Sequence, residues 1–524
     1  MRFTMLRVAS WISTLMITLL KPFFWFRDRV RPFVLPPAKN QLLSYSACEL
    51  AKKIRLGQVT CEAVVQAYID RIKEVNPYLN AMVDDRFDEA LNEAKVCDKI
   101  LKDKEIPIIQ LEKEKPLFGI PFTVKECCSV KGLSYTGCTV ARQDVKADED
   151  SPAVQNMRKA GAIPLCVTNT PELCSGFEST NPVYGITRNP YDGRHSAGGS
   201  SGGEGALLGA GASLIGIGSD IAGSIRVPSC HNGIFGHKPT PGIIPIEKHF
   251  PIVENEVYKY FLVMGPMARY VEDLHLAVKT MSAGYAKKDL RLDEPVKIDT
   301  LKVHFLEIIE NNFGVAPVNS EIRSAIRGAA MYLESQGAKA LPTKIEGLNE
   351  GCEVLTSSLL TIPNLPRILI HPNNPDIKVN PVREMAKAVI GCSTFSKSAI
   401  FMQLVTDMNG FMPRSALPEY RKKLQQLQER LLKLLGNDGV LLFPTWISAA
   451  PPIGHSAMLT TVGEYCLLAN ACGLPSTQVP VGLNNKGLPL GFQVIAAPYQ
   501  DRLCLAVAKE LEKGYGGWTP PLTS

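Results

Sequence analysis

Between Gly193 and Ser229 the chain reads GRHSAGGSSGGEGALLGAGASLIGIGSDIAGSIRVPS, and few of its side chains are large. Two glycine–serine turns lie in it, Gly198-Gly199-Ser200-Ser201-Gly202-Gly203 and Asp220-Ile221-Ala222-Gly223-Ser224. Small apolar residues between them suit close-packed burial. A phosphate loop is a poor fit, since Glu204-Gly205-Ala206 follows where a lysine is needed. A dinucleotide fingerprint needs a preceding strand, and Gly193-Arg194-His195-Ser196 reads as a loop. The string Gly198-Gly199-Ser200-Ser201-Gly202 also fits a nucleophile elbow, which wants a strand in the same place. A tight turn before a close-packed helix accounts for the glycines. It does not account for the second serine turn, nor for Lys125 at the end of another apolar strand.

The surrounding pattern is α/β. Phe118 to Val124, Ala162 to Val167 and Leu214 to Gly218 read as buried strands, each followed at once by polar residues. Leu301 to Leu306, Val440 to Phe443 and Gly491 to Ala496 read as further strands. Ser46 to Glu49 fits a capping box with Gly57 as a stop, and Thr60 caps a helix that Asn76-Pro77 is expected to end. Helices are also predicted near Ser151 to Ala160, over Ile322 to Gln336 and over Leu417 to Leu435. Strands alternating with helices predict a sheet that is at least partly parallel, with sites at the strand ends. No repeat or linker interrupts 42–515, so one large domain is predicted. Residues 516–524 form a tail.

Residues 1–41 read differently. Val8 to Leu20 is apolar, and Phe23-Phe24-Trp25-Phe26 continues it past Lys21-Pro22. With the aromatic cluster the run is just long enough to cross or dip into a bilayer. No small-residue cleavage site follows, which favours a retained anchor over a signal peptide. Seven basic residues against Asp28 give residues 1–40 all of the chain's net +6. The rest is balanced, so the charge fits a membrane surface and not a nucleic-acid domain. More positive charge follows the run than precedes it, which puts the main domain in the cytosol. Pro32, Pro36 and Pro37 mark a linker. The 14 cysteines include no C-x-x-C pair and read as buried free thiols. Ala399 to Met412, with two phenylalanines and three methionines, reads as core, or as a lipid-facing cap beside an acyl-chain portal.

These residues carry a resemblance. Gly198 to Gly205 followed by Gly218 to Pro228 resembles the amidase signature family, and Phe118-Gly119-Ile120-Pro121-Phe122-Thr123-Val124-Lys125-Glu126 is similar to that family's lysine strand. The similarity runs over about 42–515 and includes Gly473-Leu474-Pro475 and Gly487 to Gln493. Within the family, the basic N-terminal membrane segment resembles the second, shorter-loop type of fatty-acid amide hydrolase. The resemblance implies an α/β fold with a large mixed, mostly parallel central sheet covered by helices on both faces. It implies Ser224 as acyl nucleophile, Ser200 as a bridging serine that follows a cis peptide bond, and Lys125 as terminal base. Ser201 supports this network, and the backbone N–H groups of Ile221, Ala222, Gly223 and Ser224 form the oxyanion hole. Ala222 departs from the family's glycine and restricts the turn if its φ is positive. Asp220 and Arg226 are a structural pair. Cys174 falls where the family lines its substrate channel.

The chemistry fits those roles. Serine needs a base, and burial lowers a lysine's pKa enough to make it one. A relay that runs backwards protonates the departing amine. The implied function is hydrolysis of fatty-acid amides, N-acyl ethanolamines and primary amides, at a membrane. The endoplasmic reticulum and the lipid droplet are candidate membranes. The expected partners are the lipid amide and the bilayer. A homodimer is compatible, nucleic acid is not expected, and no metal or organic cofactor is called for. Two alternatives stay open: an amidase of other specificity, such as a glutaminase-type amidotransferase subunit, and a catalytically silent membrane scaffold. Catalysis by His195, His231 or His237 has no second motif behind it.

Overall fold

The structure, a computed structural model, describes residues 33–522 except 287, 313, 373, 375 and 376, with residues 457–460 by backbone only. It also describes 5–8, 11, 12, 15, 16 and 19. Thirteen strands occur among these residues: β1 Met82–Asp85, β2 Pro121–Lys125, β3 Ile163–Thr168, β4 Thr180–Asn181, β5 Gly185–Ile186, β6 Ile215–Asp220, β7 Phe235–Lys238, β8 Val263–Ala268, β9 Lys302–Phe305, β10 Lys339–Pro342, β11 Gly439–Phe443, β12 Ser476–Leu483 and β13 Pro489–Ala496. Eleven of them build one sheet in the order β1-β3-β2-β6-β8-β7-β12-β13-β11-β9-β10, while β4 and β5 form a separate ribbon.

The sheet is mixed, but the expectation that it is mostly parallel is corrected. Parallel pairing is confined to β2 with β3 and β6, and to β9 with β10 and β11. The other six pairings are antiparallel. The cause is local. Asn484 accepts the N–H of Gly487 and donates its own to Leu488, closing a short turn that reverses the chain between β12 and β13. Reversals of this kind leave no room for the helical crossover that a parallel pair needs.

Helices cover the sheet, and their apolar residues merge with those of the strands into two large clusters. One is built on β11, β12 and β13, and the other on β2, β3 and the helix Cys61–Leu79. The capping box at Ser46 is present and starts the helix Ala47–Arg55. The helix from Cys61 does not stop at Asn76-Pro77; it runs to Leu79 and ends on Asn80 in the left-handed region. Pro77 lies in the last turn, where the helix loses one N–H bond and ends two residues later. The helix Leu417–Leu435 ends at Gly436 as its sequence predicts.

The expected membrane segment, Val8 to Phe26, lies largely outside the described residues. Among the described residues no helix is long and apolar enough to cross a membrane. Those described between 5 and 19 are helical, with Trp11, Ile12, Leu15, Met16 and Leu19 exposed. Just before them Arg7 is buried. Its Nη2 donates to Glu353 Oε2 and to the Asn349 carbonyl, both at 2.7 Å, which ties the N-terminal segment to the main domain. Residues from 33 onward also rest on that domain. Leu35 is buried and the Pro36 carbonyl accepts from Arg71. At the other end Trp518 Nε1 donates to the Gly209 carbonyl.

Candidate active site

The parallel trio β3-β2-β6 ends on one edge of the sheet, where such sheets place their sites. The last residues of these strands are Thr168, Lys125 and Asp220, with Lys125 in register with Thr168. Lys125 is completely buried. Its Nζ donates to Ser200 Oγ at 2.6 Å and to Ser219 Oγ at 2.9 Å. Burial pulls the Lys125 ammonium down, while the sulfurs of Cys174, Cys127 and Cys128 pull it up, and the balance lies above its ordinary value. That upward pull needs thiolates. The Cys127 and Cys174 thiols are themselves pushed up, Cys174 to about 12, so both are protonated at neutral pH and their upward pull is absent there, while burial still pulls Lys125 down.

Ser200 is set by the first glycine–serine turn, whose Gly199–Ser200 peptide is cis, as the family resemblance implies. Ser201 occupies the N-cap position of the fully buried helix Gly202–Gly209, without a capping bond from its side chain. Its N–H donates to the Ser224 carbonyl at 3.1 Å, and its hydroxyl meets the backbone of Ser219, so it joins the two turns. Glu204, in the first turn of that helix, accepts from Thr123 Oγ1 at 2.5 Å and Thr168 Oγ1 at 2.7 Å. Burial pushes its carboxyl up to about 8 against those two bonds and the charge of Lys125. A Cβ on Gly216 would lie 2.1 Å from Glu204 Oε2, so only glycine lets the carboxyl reach the sheet.

The second turn is organised by Asp220. Its carboxylate accepts from the N–H groups of Gly223 at 2.8 Å and Ile225 at 3.0 Å. Arg226 closes on it from the other side, with Nη2 to Oδ1 at 2.9 Å and Nε to Oδ2 at 3.1 Å, both side chains fully buried. Burial alone would push Asp220 up; the Arg226 charge and hydrogen bonds hold it well below the usual carboxylate range. Arg226 also donates to the Cys466 carbonyl, Gln493 and Asn470. The turn's positive φ falls on Gly223, at 118°, where a Cβ would meet Cys466 Cβ at 2.6 Å. Ala222 is therefore not where glycine is required, and its methyl group is accommodated. Of the four expected oxyanion donors, Gly223 already donates to Asp220. The N–H groups of Ile221, Ala222 and Ser224 make no hydrogen bond to the described residues.

The structure brings Lys125 and Ser200 together directly and sets Ser224 beside Ser201. The Ser224 hydroxyl makes no hydrogen bond among the described residues, and the residue is 6% exposed. Cys174 lies next to Lys125, Cys127 and His249. Two further residues emerge. Ser219 is the second partner of Lys125, and its hydroxyl also meets His249 Nε2 at 2.8 Å. Ser219 was visible as a hydroxyl at a strand end. His249 gives no sequence signal, because only the backbone bridge between Cys128 and His249 brings its loop to the site. His237 instead meets Thr477 and Asp501, and burial lowers His231 to about 3, which keeps it neutral.

Comparison with known proteins shows the family. A family model described as Amidase matches residues 63–505. This chain belongs to the amidase signature family. It is an amidohydrolase. It is 40% identical to fatty-acid amide hydrolase 2-A of Danio rerio over 99% of this chain and 96% of that protein. It is 38% identical to fatty-acid amide hydrolase 2 of Homo sapiens over 93% of this chain and 92% of that protein. A solved fatty acid amide hydrolase superposes with a TM-score of 0.74 at 24% identity, covering 92% of this amidase and 87% of that chain. The large mixed sheet with its helices is thus the amidase signature fold.

Proposed function

We propose that this amidase is a membrane-associated serine hydrolase that cleaves fatty-acid amides, N-acyl ethanolamines and primary fatty amides among them, to a fatty acid and an amine. The observation that carries the reading is a fully buried lysine whose Nζ lies 2.6 Å from Ser200 Oγ, on a turn bonded to the segment that bears Ser224. Ser224 Oγ attacks the amide carbonyl and passes its proton to Ser200, which passes its own to neutral Lys125. The N–H groups of Ile221, Ala222 and Ser224, which Asp220 does not engage as it does that of Gly223, receive the negative oxygen, each worth about 3–4 kcal/mol in the transition state. The relay then runs backwards, Lys125 to Ser200 to the departing nitrogen, and the amine leaves protonated. Water attacks the acyl-enzyme by the same route and frees the fatty acid.

The substrate class is supported by the names of three relatives 38–40% identical over 93–99% of the chain, each a fatty-acid amide hydrolase of the second type. Membrane association is supported by the exposed apolar residues of the N-terminal helical segment and by Val382, Val389 and Ile390, all exposed at the helix Pro381–Val389. In this reading residues 1–41 are the anchor and linker, 42–515 the catalytic domain and 516–524 the tail. Cys174, beside Lys125, lines the acyl end of the site. The test is a substrate panel with the full chain in lipid vesicles: a long-chain N-acyl ethanolamine, a primary fatty amide and glutamine. Turnover of both fatty amides with little glutamine turnover is expected. Glutamine cleaved faster than either overturns the substrate assignment.

A further inference from the structure

Next to the catalytic lysine lies a group of soft ligands that the hydrolytic mechanism does not use. The side-chain donor atoms of Cys127, Cys128 and His249 all lie within 4.8 Å of one another, and all three residues are buried. Cys127 Sγ is 3.2 Å from His249 Nε2. The backbone fixes this arrangement. Cys128 and His249 form an antiparallel bridge, the Phe250 N–H donates to the Cys127 carbonyl at 2.8 Å, and the Ser129 N–H donates to the Lys248 carbonyl at 3.2 Å. In a tetrahedral zinc site with bonds of about 2.3 Å to sulfur and about 2.0 Å to nitrogen, neighbouring ligand atoms stand roughly 3.5–3.8 Å apart. The three side chains therefore need little movement to close on one ion.

We propose that Cys127, Cys128 and His249 form a site for a soft divalent cation, with zinc as the preferred ion, and that its occupation inhibits hydrolysis. Thiolate and imidazole ligands select such ions over magnesium or calcium. His249 Nδ1 is buried without a partner among the described residues, while Nε2 faces Cys127 and Ser219, so Nε2 is the nitrogen turned toward the cluster. Moving the proton to Nδ1 frees the Nε2 lone pair for the metal. Cys174, half-buried and interacting with both Cys127 and His249, offers a fourth sulfur and the more exposed side of the cluster. Inhibition follows from what His249 gives up. Its Nε2 now meets Ser219 Oγ at 2.8 Å, and Ser219 Oγ is one of the two groups holding Lys125 Nζ. A metal on Nε2 breaks that chain and leaves Lys125 without a fixed second partner. The inhibition half rests on Lys125 being the base; the binding half does not.

The experiment uses the full chain in detergent, stripped with a chelator, then given zinc chloride and desalted. Metal analysis is expected to find about one zinc per chain in wild type and in Ser224→Ala. Cobalt in place of zinc is expected to give a thiolate-to-metal charge-transfer band. Cys128→Ser and His249→Gln, each checked for folding by circular dichroism, are expected to lose zinc affinity at least about tenfold. Zinc is expected to slow wild-type hydrolysis, reversibly with chelator, and to slow each variant less relative to its own metal-free rate. Wild type retaining no zinc, or both variants retaining it as wild type does, overturns the site. Zinc bound with the rate unchanged overturns the inhibition. Hydrolysis surviving in Ser224→Ala would instead sink the catalytic reading while leaving the zinc count informative.

Discussion

Replacing Arg226 with methionine probes how the second turn is held. The guanidinium makes five hydrogen bonds: two to Asp220, and one each to the Cys466 carbonyl, Gln493 and Asn470. Methionine keeps much of the buried volume and removes every donor. Asp220 then retains the N–H groups of Gly223 and Ile225 and the Asn470 amide, but loses its hydrogen-bonded cation in a fully buried place and keeps only the field of Lys238, which makes no hydrogen bond to it. Removing one partner of a buried pair typically costs about 3–5 kcal/mol. Asp220→Asn in the same chain removes the stranded charge and should recover about half of that loss. The same carboxylate aims the oxyanion turn, so Arg226→Met should also lower kcat about 100-fold. Urea unfolding of wild type, both single variants and the double variant at pH 7.5 measures the stability terms. The pH matters for sign. The depressed folded pKa of Asp220 means the pair's contribution is complete above the unfolded carboxylate value and is lost as pH falls below it. Arg226→Met within about 1 kcal/mol of wild type, or a double variant no more stable than Arg226→Met, would refute the argument.

Three more outcomes are expected. Lys125→Ala should lower kcat/KM by about 100-fold to 10,000-fold and abolish a rate that rises from acid toward mildly alkaline pH, checked by pH–rate profiles of both proteins. Glu204→Gln should flatten the pH dependence of the thermal midpoint. The folded carboxyl keeps its proton up to about 8. Wild type therefore loses stability as pH rises from the unfolded carboxyl value to that point, and the glutamine variant should overtake it at pH 9. Gly223→Ala forces a methyl group onto Cys466 at a φ of 118° and should be destabilised by about 1–3 kcal/mol with severe loss of turnover, whereas Ala222→Gly should hydrolyse nearly as wild type does.

Much of this site was legible in the sequence because its parts sit at strand ends. β2, β3 and β6 each announce themselves as short apolar runs stopped by polar residues, and Lys125, Thr168 and Asp220 are where those runs stop. The two glycine–serine turns stand out for a related reason, since close packing such as Glu204 against Gly216 tolerates no larger residue. Strand direction was not legible. A run such as Ser476–Leu483 looks the same whichever way its neighbour runs, and only the turn at Asn484 decides it. Donor bookkeeping was hidden too: that Gly223 gives its N–H to Asp220 follows from the folded turn and not from the order of residues. His249 lay furthest from view, because it comes from a loop with no motif and reaches Ser219 only through tertiary contact.

The central claim is that Ser224 is the nucleophile and that a buried Lys125 activates it through Ser200. Covalent labelling by a fluorophosphonate, read by mass spectrometry of the modified peptide, tests it most directly. Wild type should carry the label on Ser224, Ser224→Ala should carry none, and Lys125→Ala should label far more slowly. A Ser224→Ala protein that labels and hydrolyses amides at the wild-type rate would contradict the account.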